Sequence, residues 1–140
     1  MKGSVFMFIT MAIVGTTLNP MNALVNHRDH LYLSLTSVYS GLFMAAVMMW
    51  TSELMGSRDA KRLTIGILLS ILFTVMMRKQ TFVSETQWIR RMIGHHSTAL
   101  TTSHQILKHT KDPRIKQLAE DIIQTQEREI ALMKSMLQSI

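Results

Sequence analysis

The sequence predicts an all-α chain: three transmembrane helices, then a water-facing two-helix hairpin that dimerisation completes to a four-helix bundle. Three observations carry this. Charge is absent from Gly3 to Asn26, from Leu31 to Ser52 and from Leu63 to Met77, which is the pattern of membrane segments. Beyond Arg78 the chain turns polar, and its apolar residues recur at the spacing of one helix face. Thr110-Lys111-Asp112-Pro113 interrupts that pattern with turn chemistry, so two antiparallel helices follow the anchor.

The elements follow in order. The first helix is expected from Gly3 to Ala23, with Pro20 bending or ending it. Lys2 before an apolar run is also how a signal peptide begins, but no small-x-small cleavage site follows. Asn26-His27-Arg28-Asp29-His30 reads as a short polar loop, whose histidines are those of an ordinary loop. The second helix, Leu31 to Met55, is the clearest span. Its 22-residue uncharged core covers a hydrocarbon layer of about 30 Å. Tyr32 and Trp50 suit its two interfaces, and Glu53 reads as a solvated end. Ser37, Gly41 and Ala45 form a small-residue stripe for close helix approach, within the membrane dimer if two copies pair there. Gly56 to Arg62 is a tight connection. The third helix, Leu63 to Met77, is short at about 22 Å. Residues 1–81 are therefore the anchor and 82–140 the hairpin. The charge of the Arg58–Arg62 loop favours placing it inside. That puts the hairpin outside a bacterial inner membrane, in the periplasm.

The hairpin starts at Ser84, where Ser84-Glu85-Thr86-Gln87 fits a capping box. Its first helix runs to about His109. Asp112 caps the second, which begins at Pro113 and continues nearly to the end. At 100° per residue, Trp88, Ile89, Met92, His96, Ala99, Leu100, Ser103, Ile106 and Leu107 share a stripe. His96 lies near its middle and His95 on its shoulder. On the last helix Ile115, Leu118, Ala119, Ile122, Gln126, Glu129, Met133, Met136 and Leu137 share another. Folding at Lys111 sets His96 opposite Gln126, Met92 opposite Glu129 and Ile130, and Ile89 opposite Met133.

Met92, His96, Gln126, Glu129 and Met133 thus converge, with His95 beside them. An imidazole on an apolar face needs a partner, because an unpaired buried polar group costs about 1–3 kcal/mol. One reading is a His–Glu pair that fixes register. Another is a metal site, since imidazole, thioether and carboxylate suit copper, with zinc second; a third is a catalytic acid–base pair. His104 and His109 continue toward the turn.

Composition excludes several classes. The chain has 140 residues, a net charge of +6 and no cysteine, so disulfides and thiolate metal sites are out. Soft ligation must come from its thirteen methionines. Residues 78–140 carry ten Lys/Arg against six Asp/Glu. Beside a bilayer this fits anionic headgroups, and no nucleic-acid motif accompanies it. The expected partners are the lipid bilayer and a second copy.

Two stretches carry a family resemblance. Met92-Ile93-Gly94-His95-His96-Ser97-Thr98-Ala99 matches M-I-x-H-H-x-x-A. Asp112 to Met133 matches D-P-x-[IV]-x-x-L-A-x-x-I-I-x-x-Q-x-x-E-I-x-x-M. These resemble the signature of a ferritin-like domain-of-unknown-function family, over roughly Trp88 to Leu137. The resemblance implies a helical bundle, often periplasmic, with copper binding and copper tolerance in some members. Variants with a three-span anchor have a D-H-x-Y loop, which Asp29-His30-Leu31-Tyr32 resembles. Two departures stand out. Thr102 replaces a frequent methionine, which weakens the copper case, with His104 as the substitute. Gly94 replaces a frequent proline. The expected function is a membrane-anchored metal-binding protein, with copper as the first choice, acting in metal buffering, delivery or tolerance. The alternative is a structural or regulatory membrane protein whose His–Glu pair only fixes packing. No enzyme is expected, because the paired Glu-x-x-His motifs of carboxylate-bridged di-iron bundles are missing.

Overall fold

The computed structural model describes residues 2–56 and 58–139, and these are all helix and connecting loop. Among them the helices are α1 (Lys2–Thr17), α2 (Pro20–Ala23), α3 (Leu35–Met55), α4 (Ala60–Arg78), α5 (Glu85–Leu107) and α6 (Pro113–Ser139), with a 3-10 turn at Arg28–His30. The chain divides into two compact units. One comprises Met1–Asn19 and Leu33–Val83, the other Pro20–Tyr32 and Ser84–Ile140. The last change of unit lies between Val83 and Ser84, whereas the sequence placed the end of the anchor at residue 81. The assignment of Pro20–Tyr32 to the hairpin was not foreseen.

In the first unit α3 is central, with α1 and α4 packed against it. Glycines set both contacts. A β-carbon on Gly41 would lie 2.7 Å from Thr16 N, and one on Gly15 would lie 2.9 Å from Gly41 Cα. A β-carbon on Gly66 would lie 3.0 Å from Trp50 N and 3.1 Å from Ala46 O. Gly41, at the middle of the small-residue stripe of α3, is therefore packed against α1 of the same chain.

Three expectations about the anchor need correction. The first helix stops at Thr17, so among the described residues two helices, not three, are long and apolar enough to cross a membrane by length and composition: Leu35–Met55 and Ala60–Arg78. The break is local chemistry. The Thr16 and Thr17 hydroxyls donate back to Ala12 O at 2.7 Å and Ile13 O at 2.8 Å. The Asn19 amide donates to Gly15 O at 3.2 Å and Thr16 O at 3.1 Å, closing the helix end, and Pro20 starts a new turn. At 16 residues, α1 is about 24 Å long. The helix that looked short is longer than expected, because Asp59 caps it through Lys61 N and Arg62 N and adds a turn before Leu63. Glu53, expected in solvent, is buried. Its carboxylate lies 3.5 Å from Arg62 Nη1 and accepts from Asp59 N at 3.2 Å, tying α3 to the start of α4. Large aliphatic side chains cover the outside of α4, including Leu68, Ile71 and Leu72. Such a surface is unfavourable in water and fits lipid.

In the second unit α5 packs antiparallel on α6. Both expected caps form: Ser84 Oγ accepts from Gln87 N, and Asp112 Oδ1 accepts from Arg114 N at 2.8 Å. Ile89, Ile93, Leu100, Ile130 and Met133 make the core, with Tyr32, Met92, Ile123 and Leu137 against it. Tyr32 thus belongs to the hairpin core, not to an interface of the second span.

Glycines separate two outcomes. Gly41→Leu forces a side chain into the backbone of α1, and overpacking of this kind costs about 1–3 kcal/mol. A β-carbon on Gly94 meets only His30 O, at an ordinary 3.7 Å, so Gly94→Ala gains helix propensity of up to about 1 kcal/mol. Thermal unfolding of the full chain in detergent should show a lowered midpoint for the first and an unchanged or raised one for the second.

Candidate metal centre on the hairpin

Burial along α5 is turned about one residue from the expected stripe. Ile93 and Ser97 are completely buried (0% exposed), whereas Met92 and His96 lie on the flank and Trp88 and Ile106 are exposed. The cause is the Pro20–Tyr32 stretch, which covers the Ser97 side of the helix. Asn26 N donates to Ser97 Oγ at 2.8 Å, and His30 Nδ1 lies 2.9 Å from the same oxygen. One hydroxyl has one proton and two lone pairs. Ser97 therefore accepts from Asn26 and has both a lone pair and its proton left to bond His30 Nδ1, which holds the ring against α5 in either neutral tautomer. Lys134 pairs with Asp29 at the edge of this contact. The loop histidine read as ordinary is thus buried. A small cavity beside it is lined by His27, Glu127 and Ala131 among others.

His96 and Glu129 come together, with His96 Nδ1 3.1 Å from Glu129 Oε2. Glu129, not Gln126, is the residue opposite His96. The shift has a geometric cause. Helical side chains lean toward their own N-terminus, so on antiparallel helices His96 reaches away from the turn while Glu129 reaches toward it.

The His96 side chain is 15% exposed and that of Glu129 41%. Among the described residues, His96 Nδ1 is the one buried side-chain nitrogen or oxygen without a hydrogen-bond partner. The 3.1 Å separation alone does not make a hydrogen bond. The carboxylate lies close enough for attraction but off the direction in which the ring nitrogen points. Burial holds the His96 pKa below its ordinary value, Glu129 opposes that shift and His95 adds to it. His96 is accordingly a neutral imidazole at neutral pH, the form that ligates metal.

The other expected ligands are placed as follows. His95 is exposed beside His96, ring centroids 6.1 Å apart. Met92 packs at the edge of the core and Met133 inside it. Gln126 is half-buried on the neighbouring turn of α6. His104 does not join the group: its Nδ1 lies 2.7 Å from Leu100 O, two turns along the same helix. Among the described residues no three His, Asp or Glu side chains cluster as a metal-binding group. The single chain thus presents two close donors, His96 and Glu129, with His95 and Met92 alongside.

These donors lie on the face that Pro20–Tyr32 leaves open. At 100° per residue Trp88, Met92, Ala99 and Ile106 form a strip of α5 on the far side from Ser97. Leu118, Ile122, Glu129, Leu132 and Met136 form the matching strip of α6. Leu118 and Leu132 are 58% and 54% exposed. Toward the turn this face holds an apolar depression of about 240 Å³ lined by Ile106, Ile115, Leu118 and Ile122 among others.

Residues 71–139 match the family model described as a domain of unknown function, DUF305. The chain is similar to an uncharacterized protein, L153, of Acanthamoeba polyphaga mimivirus, at 34% identity over 139 residues, which are 95% of this chain and 90% of that protein. No solved structure matches the chain.

His30 and His96 both have lowered pKa values, each chiefly through burial. Around His30, Lys134 and His27 reinforce the shift and Asp29 opposes it; Glu127 faces the same cavity from α6. In the folded chain both rings stay neutral where the unfolded chain begins to bind protons. Their contribution to stability is therefore full above about pH 6.5 and declines as pH falls below it toward the depressed folded values. Protection factors of the α5 amides, taken against the intrinsic exchange rate at each pH, should fall between pH 7.5 and pH 5 in the wild type, and by less in the double substitution His30→Asn with His96→Asn.

Proposed function

The chain belongs to the DUF305 family, and on that basis we propose that it is a membrane-anchored, non-catalytic metal-binding protein, with copper as the metal, acting in buffering, delivery or tolerance. The observation that carries the reading is His96 Nδ1: buried, neutral at neutral pH and without a hydrogen-bond partner. A nitrogen in that state lacks an electrophile, and a metal ion would supply one.

The donor set fits. His95 and His96 offer imidazole nitrogen, Met92 a thioether and Glu129 a carboxylate that ligates or orients a histidine. Copper suits this mixture best and zinc next. Met133 is a core residue and lends packing rather than ligation, and His104 is tied to its own helix. When bound, the metal supplies Lewis acidity and, for copper, a one-electron couple; the residues named supply donors and partial exclusion of water.

One hairpin holds only part of a coordination sphere, and the second copy supplies the rest. The open apolar face is the natural seat for an identical hairpin. His96 is the middle residue of α5, and residues near a two-fold axis meet their own equivalents. Pairing of this kind closes a four-helix bundle and doubles the donors around one point. The apolar helices Leu35–Met55 and Ala60–Arg78 anchor the assembly in a bilayer, α1 packs on α3 beside them, and the hairpin stands on the non-cytoplasmic side, the periplasmic one in a bacterium. The 3.1 Å approach of Glu129 to His96 also supports a second reading, in which the pair only fixes hairpin register and no metal is involved.

Anaerobic titration of the full chain in detergent with Cu(I) separates the two. The metal reading predicts saturable binding that His96→Ala abolishes. Met92→Leu should weaken Cu(I) more than Zn(II), and Glu129→Gln should lower affinity about 10–100-fold. No saturable binding by the folded wild-type chain leaves the register reading. Leu132→Glu places a charge in the open face, and light scattering should show dimers for the wild type and monomers for this variant; a wild-type monomer would remove the second copy from the account.

A further inference from the structure

A cavity on the hairpin unit lies away from the histidine pair. It holds about 610 Å³ at the end of the hairpin away from its turn, between the start of α5, the end of α6 and the Pro20–Tyr32 stretch. Its walls are polar and biased toward donors. Arg90 and Lys134 contribute cations, Tyr32 and Thr86 hydroxyls, and Gln138 an amide. Among the described lining residues Asp29 is the one carboxylate, and Lys134 neutralises it through their ion pair. That leaves the charge of Arg90, a half-buried guanidinium for which no carboxylate partner is present among the described residues.

We propose that this cavity binds a phosphate group, either on the headgroup of an anionic phospholipid or as free phosphate. A guanidinium fork matches the oxygens of phosphate with paired, charge-assisted hydrogen bonds. Tyr32, Thr86 and Gln138 can donate to the remaining oxygens, and Leu137 gives one apolar wall. Among the described lining residues the charges favour an anion over a cation, because their one carboxylate, Asp29, is paired with Lys134. A lipid source is expected for this chain, since α3 and α4 are long and apolar enough to cross a bilayer. The site is independent of the metal reading, since none of its residues belongs to the proposed donor set.

The test is a ³¹P NMR titration of the full chain in a maltoside detergent, which contains no phosphorus. The probes are inorganic phosphate, dihexanoyl phosphatidylglycerol and dihexanoyl phosphatidylcholine. The proposal expects saturable binding of phosphate, phosphatidylglycerol or both. Arg90→Gln should weaken it about tenfold or more and Tyr32→Phe by a smaller factor. Arg128→Gln, an exposed cation outside the cavity, should leave it unchanged. Binding of phosphatidylglycerol alone assigns the site to the lipid headgroup, and binding of inorganic phosphate assigns it to the free anion. Tyr32→Phe keeps the ring in the core, so it reads the site even if Arg90→Gln fails to fold. No saturable binding by the folded wild type overturns the proposal. So does equal weakening by Arg90→Gln and Arg128→Gln, which would indicate only diffuse charge, or tighter binding of phosphatidylcholine than of both other probes.

Discussion

The Ser97 hydroxyl is the contact on which the rest of the hairpin depends. It is completely buried, and a buried hydroxyl must be satisfied. Asn26 N and His30 Nδ1 satisfy it, which fixes Pro20–Tyr32 over one side of α5. That side is then closed to any partner. The opposite side keeps Trp88, Leu118 and Leu132 in the open, and it carries Glu129, with His96 at its edge halfway along α5. A serine in the helix interior thus decides which face of the hairpin is available for function.

The same contact explains the state of two histidines. His30 is held against Ser97 Oγ, and burial there disfavours its charged form; His96, one residue before Ser97, is turned toward Glu129 and lacks a well-directed partner. Helix geometry couples these outcomes, because adjacent residues point 100° apart. With Ser97 held against Pro20–Tyr32, His96 has only the edge of the open face to occupy. A polar group in that position costs stability unless something completes its coordination, and residues retained against such a cost are where function is most reasonably sought.

Much of this was legible in the sequence, for definite physical reasons. Uncharged runs located α3 and α4, and caps at Ser84 and Asp112 located α5 and α6. The convergence of His96 and Glu129 followed from the two stripes alone, although the lean of helical side chains moved the pairing from Gln126 to Glu129. What could not be read was the path of residues 20–32. Periodicity reports elements that repeat, and this stretch has no period. It hid the burial of His30, the core role of Tyr32 and the one-residue turn of α5. Glu53 was misread for a related reason, since its partners Arg62 and Asp59 lie across a tight loop that angular counting does not treat. The termination of α1 at Thr17 was half visible in Pro20, but the Asn19 closure that ends the helix earlier was not.

The central claim is that one hairpin carries part of a metal site and two complete it. Native mass spectrometry of the full chain, purified without an affinity tag and loaded with Cu(I) in detergent, reads assembly and metal content in the same ions. The account predicts metal on the dimer, with none retained by the monomer. Metal held at full occupancy by the monomer, or a dimer that stays metal-free at saturating Cu(I), would contradict it.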